Sequence, residues 1–242
     1  MRQLLTLPSD LLTYLDEYQK WIIANPPDKH LPNWKCKGKF LNEGRPEYAA
    51  SWECMKSTPA KDHDGYPPDS YGYDLNENSM DQQMANNSKL TQDEKEWVKK
   101  YKEKSRWIDD VIGNWAGFKF CALKMYYPKD GYIAWHTNWN VPGFNCLFTW
   151  SDGSGYWRNL DPTHQKPGSL RADECDSMGI PRYGVHIQDK EGWHCKLGYY
   201  GEKSEHDKIM WHAAFGGPRI TLGFVVKDPA VWDDIVDELT DI

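Results

Sequence analysis

The chain has 242 residues, a length for one domain or for a core with an added lobe. Its net charge of −7 and pI near 5.6 remove any general attraction to polyanions, so bulk nucleic-acid binding through phosphate neutralisation is disfavoured. No apolar stretch reaches the roughly 18 residues of a membrane span, and the N-terminus, broken early by Pro8, Ser9 and Asp10, does not read as a signal peptide. The six Cys residues are scattered without a Cys-x-x-Cys pair, which gives a Cys-type zinc site no spacing to use. Reduced thiols in a cytoplasmic compartment are the expectation.

Taken in chain order, residues 9–24 predict a helix: Ser9 or Asp10 can cap it, and Leu11, Leu12, Leu15, Tyr18, Trp21 and Ile22 recur at helical spacing. Residues 25–90 are rich in Pro, Asn, Asp, Gly and Tyr and show neither period, so they read as a long ordered loop with short elements, able to form a lid. A second helix is predicted over 92–112, opened by a Thr91-x-x-Glu94 capping box and stopped by Gly113. After residue 117 come eight short segments rich in aromatic and β-branched residues: FKFCALKMYY, GYIAWHTNW, FNCLFTW, GYWRNL, YGVHIQD, WHCKLGYYG, KIMWHAAF and RITLGFVV. Eight such segments predict a mainly β core, a sandwich or jelly roll, with flanking helices. Residues 161–181 read as a loop crossing between strands, and 229–240 as a closing helix starting at Pro229. The organisation expected is an N-terminal helical and loop region over 1–116, a β core over 117–228 and a C-terminal helix over 229–242.

The chemistry concentrates in two stretches. In YYPKDGYIAWHTN, His136 ends a predicted strand, and period two would put Asn138 on the same face, so that both can reach one metal. In KIMWHAAFGGPRITLGF, His212 lies on an apolar strand and Arg219 follows seven residues later, at a loop length that lets a hairpin bring both into one pocket. An Arg fork is suited to a carboxylate. Trp135, Trp139 and Trp211 flank the two His residues and could keep such a site dry. Taken alone, each is bland: a single His on a strand is usually a satisfied core or surface residue, and a single Asn is usually a turn residue.

The order His-x-Asn, a distant His, then Arg on the next strand resembles the 2-oxoglutarate and iron(II)-dependent oxygenases, whose facial triad is His-x-Asp with a second His. The resemblance covers about residues 118–227 and is closest to uncharacterised oxygenase-like proteins of tailed phages, in which stretches similar to GYIAWHTNWNVPG, GYWRNLDP, DKEGWHCKLGYY and WHAAFGGPRITLGFVV occur in this order. It implies a double-stranded β-helix, the cupin-like jelly roll, in a bacterial or phage-infected cell. It further implies that His136 and His212 bind iron, that Asn138 stands in the place of the acidic ligand, and that Arg219 pairs with the distal carboxylate of 2-oxoglutarate. Thr221 and Tyr127 would line the co-substrate pocket, with Arg158, Tyr199 and Trp139 as weaker pocket candidates. The implied reaction is oxidation of a substrate C–H bond, most simply hydroxylation, of a small molecule, a peptide side chain or a nucleobase.

Asn138 departs from the pattern, because an amide is neutral and stabilises iron(II) less than a carboxylate. Three readings stay open. Asn138 is a weaker ligand; or the site uses only two His with water or an anion, as some oxygenases and halogenases of this fold do; or the metal site is degenerate. His194 is a further candidate to replace Asn138, while His164 and His206 read as solvated loop residues. The competing functions are a non-catalytic jelly-roll binding protein and a cupin-like metal enzyme that does not use 2-oxoglutarate.

Overall fold

The computed structural model describes residues 2–5, 7–34, 38–58, 64–118, 121–161, 177, 180–181, 183–226 and 228–240. Strand β1 (Arg2–Leu5) precedes α1 (Ser9–Ala24), the helix expected, which buries Leu11, Leu15, Tyr18 and Ile22 along one stripe. The described part of the 25–90 segment carries short elements, as expected. It forms α2 (Pro27–His30), α3 (Lys39–Asn42), a 3-10 helix (Pro46–Ala50), α4 (Trp52–Ser57), two-residue strands β2 (Ser70–Tyr71) and β3 (Tyr73–Asp74), and α5 (Glu77–Asn86). Elements this short are held by tertiary contacts, which explains why no period marked them.

Helix α6 (Gln92–Ala116) opens on the predicted capping box: Glu94 N–H donates to Thr91 Oγ1 at 3.2 Å, and Thr91 N–H donates to Glu94 Oε2 at 2.8 Å. Glu94 also accepts from Asn33 N and Nδ2, tying the preceding segment to the helix start. Thr91→Ala should lower stability by about 1 kcal/mol, read as a shifted urea midpoint at unchanged slope; an unmoved midpoint would show the cap to be redundant. Gly113 does not end this helix. The chain runs on to Ala116 and stops at Gly117, whose φ of 66° is the left-handed conformation that ends helices.

All eight predicted strands form: β4 (Cys121–Tyr127), β5 (Tyr132–His136), β6 (Gly143–Asp152), β7 (Tyr156–Leu160), β8 (Gly184–Gln188), β9 (Glu191–Tyr200), β10 (His212–Phe215) and β11 (Arg219–Val226). Helix α7 (Pro229–Thr240) closes the chain as expected. Most of the 161–181 crossing segment, with His164, lies outside the described residues.

The protein is mainly β, with two antiparallel sheets and flanking helices. One sheet runs β1-β9-β6-β11-β4-β3, the other β2-β5-β10-β7-β8. The region before residue 117 therefore supplies edge strands to both sheets as well as helices. Alternation along β11 divides the layers. Ile220, Leu222 and Phe224 join Leu11, Leu15, Tyr101 and Ile108 in the core between one sheet and the helices. Arg219 and Thr221 take the opposite face, where Met125, Tyr127, Ile133, Leu147, Trp157, Tyr200 and Ala214 pack the two sheets together.

Candidate metal centre

His136 ends β5 and His212 begins β10, and the two are register partners across the antiparallel pair. Their ring centroids lie 4.1 Å apart, and each residue is 2% exposed. Both rings are held the same way. His136 Nδ1 lies 2.8 Å from the Ala134 carbonyl and His212 Nδ1 2.9 Å from the Met210 carbonyl. A carbonyl only accepts, so each Nδ1 carries the proton and each Nε2 is the basic nitrogen, the tautomer a metal needs. His212 is further fixed between Trp157, stacked at 4.8 Å and 15°, and Tyr200, stacked at 5.0 Å and 11°. The Trp157 indole is held in turn by Asn159 Oδ1 at 3.1 Å.

Asn138 reaches the pair by a route other than the one its spacing suggests. The strand stops at His136, and Asn138 adopts φ 58°, a left-handed conformation that Asn tolerates better than most residues. Its N–H donates to Gly65 O and its carbonyl accepts from Val141 N, both at 2.9 Å, forming a turn. That turn places Asn138 Nδ2 3.3 Å from His212 Nε2. Position 138 thus serves as both turn residue and neighbour of the imidazoles, and rotation of the amide about its terminal torsion would present Oδ1 in place of Nδ2.

The connection from His212 to Arg219 is not a hairpin within one sheet. β10 pairs with β5 and β7 while β11 pairs with β4 and β6, so the chain crosses between sheets at Gly216–Pro218. Glycine is required there: Gly216 has φ 102°, and a Cβ on Gly217 would collide with the carbonyls of Tyr127 and Pro128. The crossing sets Arg219 on the sheet opposite His212, and both line a small cavity of about 40 Å³ with His136, Asn138, Tyr127 and Thr221. A larger groove of about 890 Å³ also borders His136, Asn138 and Tyr200 and opens to solvent.

Arg219 is 2% exposed and belongs to a buried charge cluster. Its Nη1 lies 3.5 Å from the Tyr156 carbonyl and 3.6 Å from Asp189 Oδ2. Asp189 is also 3.9 Å from Lys196 Nζ and 3.8 Å from His194 Nε2. Arg219 Nη1 donates to the Tyr156 carbonyl, whereas the three separations to Asp189 are too long for hydrogen bonds, and both Asp189 oxygens and Arg219 Nε have no hydrogen-bond partner. Burial, reinforced by Lys196, pushes His194 down to about 3, so it is neutral and accepts from Lys196 Nζ at 3.2 Å. Burial and the neighbouring Arg219 push Lys196 down to about 7. With Lys196 protonated, two cations face one carboxylate, and the cluster favours one more anion.

Of the residues predicted from sequence, His136, Asn138, His212, Arg219, Tyr127 and Thr221 therefore converge. Three others do not. Tyr199 faces away from the cavity and donates to Glu205 Oε2 at 2.9 Å; its neighbour Tyr200 is the one inside. Arg158 points outward, donating to the Ala50 carbonyl and to His186 Nδ1. Trp139 packs in a separate cluster with Trp135 and Trp211. His194 is not a third imidazole at the centre, and among the described residues no group of three His, Cys, Asp or Glu side chains is placed to hold a metal. The sequence reading missed Asp189 and Lys196. The signal was polar alternation on β9, where His194 and Lys196 share the inner face of an aromatic-rich strand.

Comparison of the chain with protein families, curated proteins and solved structures returned no match. No helix among the described residues is long and apolar enough to cross a membrane.

Proposed function

We propose that the protein is an iron(II)- and 2-oxoglutarate-dependent oxygenase built on a double-stranded β-helix. The observation that carries this reading is the pair of buried register-matched imidazoles, both fixed with Nε2 as the basic nitrogen, facing a buried Arg across one cavity. Strand order supports it: β9-β6-β11-β4 in one sheet lies opposite β5-β10-β7-β8 in the other, as expected when eight strands wind as a jelly roll.

The donor set fits the metal. Two imidazoles and an amide oxygen suit iron(II) and leave its charge undiminished, so anionic co-ligands are favoured. His136, His212 and Asn138 would hold the ion. When bound, iron(II) with 2-oxoglutarate and oxygen supplies oxidation of a substrate C–H bond, with the co-substrate decarboxylated to succinate. The protein's residues bind, orient and exclude water. Arg219 would hold the distal carboxylate, with Lys196 adding charge behind it, and Thr221 and Tyr127 border the same space. Trp157 and Tyr200 keep the His212 ring from turning. At about 40 Å³ the cavity is smaller than a five-carbon dicarboxylate, so co-substrate binding requires it to widen toward the groove that shares Leu123, Leu147 and Tyr200 with it.

A second reading, a binding protein without redox chemistry, is favoured by one observation: Asn138 Nδ2 can donate to His212 Nε2 with no metal present. Asn138→Asp separates the two. Asp also tolerates a left-handed φ, and a carboxylate beside two imidazoles should tighten iron(II) binding by about tenfold or more. Unchanged affinity, measured by competition with a chelator, would remove position 138 from the ligand set.

A further inference from the structure

The groove of about 890 Å³ is the open approach to His136 and Asn138, and its chemistry restricts what can enter. Among the described residues no Lys or Arg lines it, whereas Asp69 and Asp74 do. Asp69 is fixed by three donors, Lys39 N, Phe40 N and Tyr132 Oη, at 2.9, 3.1 and 2.6 Å. Asp74 accepts from Asn76 N at 2.9 Å. Among the described lining, Gln83, Asn138, Asn140 and Asn145 add amides and Ser70 a hydroxyl. Asn140 lines the groove with both amide atoms buried and without a hydrogen-bond partner, and Gln83 Oε1 is in the same condition. Unpaired buried amides are costly, and a ligand that supplies donors and acceptors would satisfy them. At the rim stand Tyr66 and Val141, 59% and 38% exposed, two of the few large apolar side chains left in solvent.

A phosphate entering this groove would lose its hydration and meet two carboxylates, with no cation among the described lining residues and only the buried Lys124 acting on Asp74 from behind, in a chain of net charge −7. A positive group would find the opposite. We infer that the groove takes an alkylammonium or guanidinium group, as carried by lysine or arginine, with Asp74 and Asp69 reading the charge and Asn140 and Gln83 the neighbouring amide groups. This assigns a cationic, phosphate-free substrate to the proposed oxygenase site, and it rests on that reading because the groove ends at His136 and Asn138.

The test is calorimetric titration of metal-free protein with a capped Gly–Lys peptide, its Gly–Glu counterpart, free L-lysine, free L-arginine and oligothymidylate. The Lys peptide or a free basic amino acid should bind, and the acidic peptide and oligothymidylate should not. Which cationic probe binds tighter distinguishes a polypeptide source from a free amino acid. Asp74→Asn, which keeps an acceptor for Asn76 N, should weaken binding by about tenfold, and so should Val141→Lys at the exposed rim. Glu103→Gln on the exposed face of α6 controls for net charge and should change nothing. Binding of the anionic probes, failure of every cationic probe, or full affinity in both Asp74→Asn and Val141→Lys would overturn the assignment. Because no iron is present, a failure here is separate from a failure of the metal site.

Discussion

His212→Ala is expected to lower iron(II) affinity by more than about a hundredfold, since losing only the groups that orient a ligand costs about 10- to 100-fold. The His212 ring is stacked on both faces, by Trp157 and Tyr200, and tied through Nδ1 to Met210. Among the described residues no nearby side chain is placed to take over, and His194 is committed to Lys196. The substitution also leaves a void between two aromatic rings. His212→Gln, closer in volume, therefore checks that loss of metal is not loss of fold. Both variants should retain cooperative unfolding while failing to compete with a chromophoric chelator for iron(II). Affinity within about a factor of two of the unmodified protein would show that the pair of imidazoles is core packing.

Arg219→Ala is expected to remove 2-oxoglutarate binding while leaving iron(II) binding in place. Truncating one partner of a buried charge pair costs about 2–5 kcal/mol, or about 30- to 5000-fold in affinity. Arg219→Lys keeps the charge but loses the planar fork and should recover only part of this. Lys196 adds a pH dependence of definite sign. Held down to about 7, it is protonated at lower pH and supplies a second positive charge beside Arg219; above that pH it is neutral. Affinity of the iron-loaded protein for 2-oxoglutarate should therefore rise as pH is lowered from about 8 through 7, and Lys196→Met should flatten that slope. A slope of opposite sign, or one indifferent to Lys196→Met, would detach the cluster from the co-substrate. Full 2-oxoglutarate affinity in Arg219→Ala would leave a cupin-like metal site without this co-substrate.

The sheets were legible because their signals are local. Aromatic and β-branched runs punctuated by turn residues marked β4 to β11, and the helical stripes of α1, α6 and α7 were plain. Within residues 25–90 short elements were expected but not located, since α2 to α5 and β2 and β3 are short pieces whose stability comes from the surfaces they cover. Within the site, His136, His212 and Arg219 carried a pattern of order and spacing. Tyr199 was misplaced by one residue, and on a strand a shift of one exchanges the two faces, which is why Tyr200 lines the cavity. Strand periodicity put Asn138 on the face of His136, yet it arrives beside the imidazoles through a left-handed turn that the spacing does not encode. Asp189 was hidden for another reason. It follows the last residue of β8, and only the packing of the two sheets brings it to Arg219, Lys196 and His194.

The most direct test of the central claim is anaerobic titration of the purified protein with iron(II) and then 2-oxoglutarate, followed by visible absorption. A charge-transfer band that appears only when both are present, and disappears in His212→Ala and Arg219→Ala, is the predicted result. Absence of the band together with failure to bind iron(II) would contradict it and make the redox-inactive binding protein the better account.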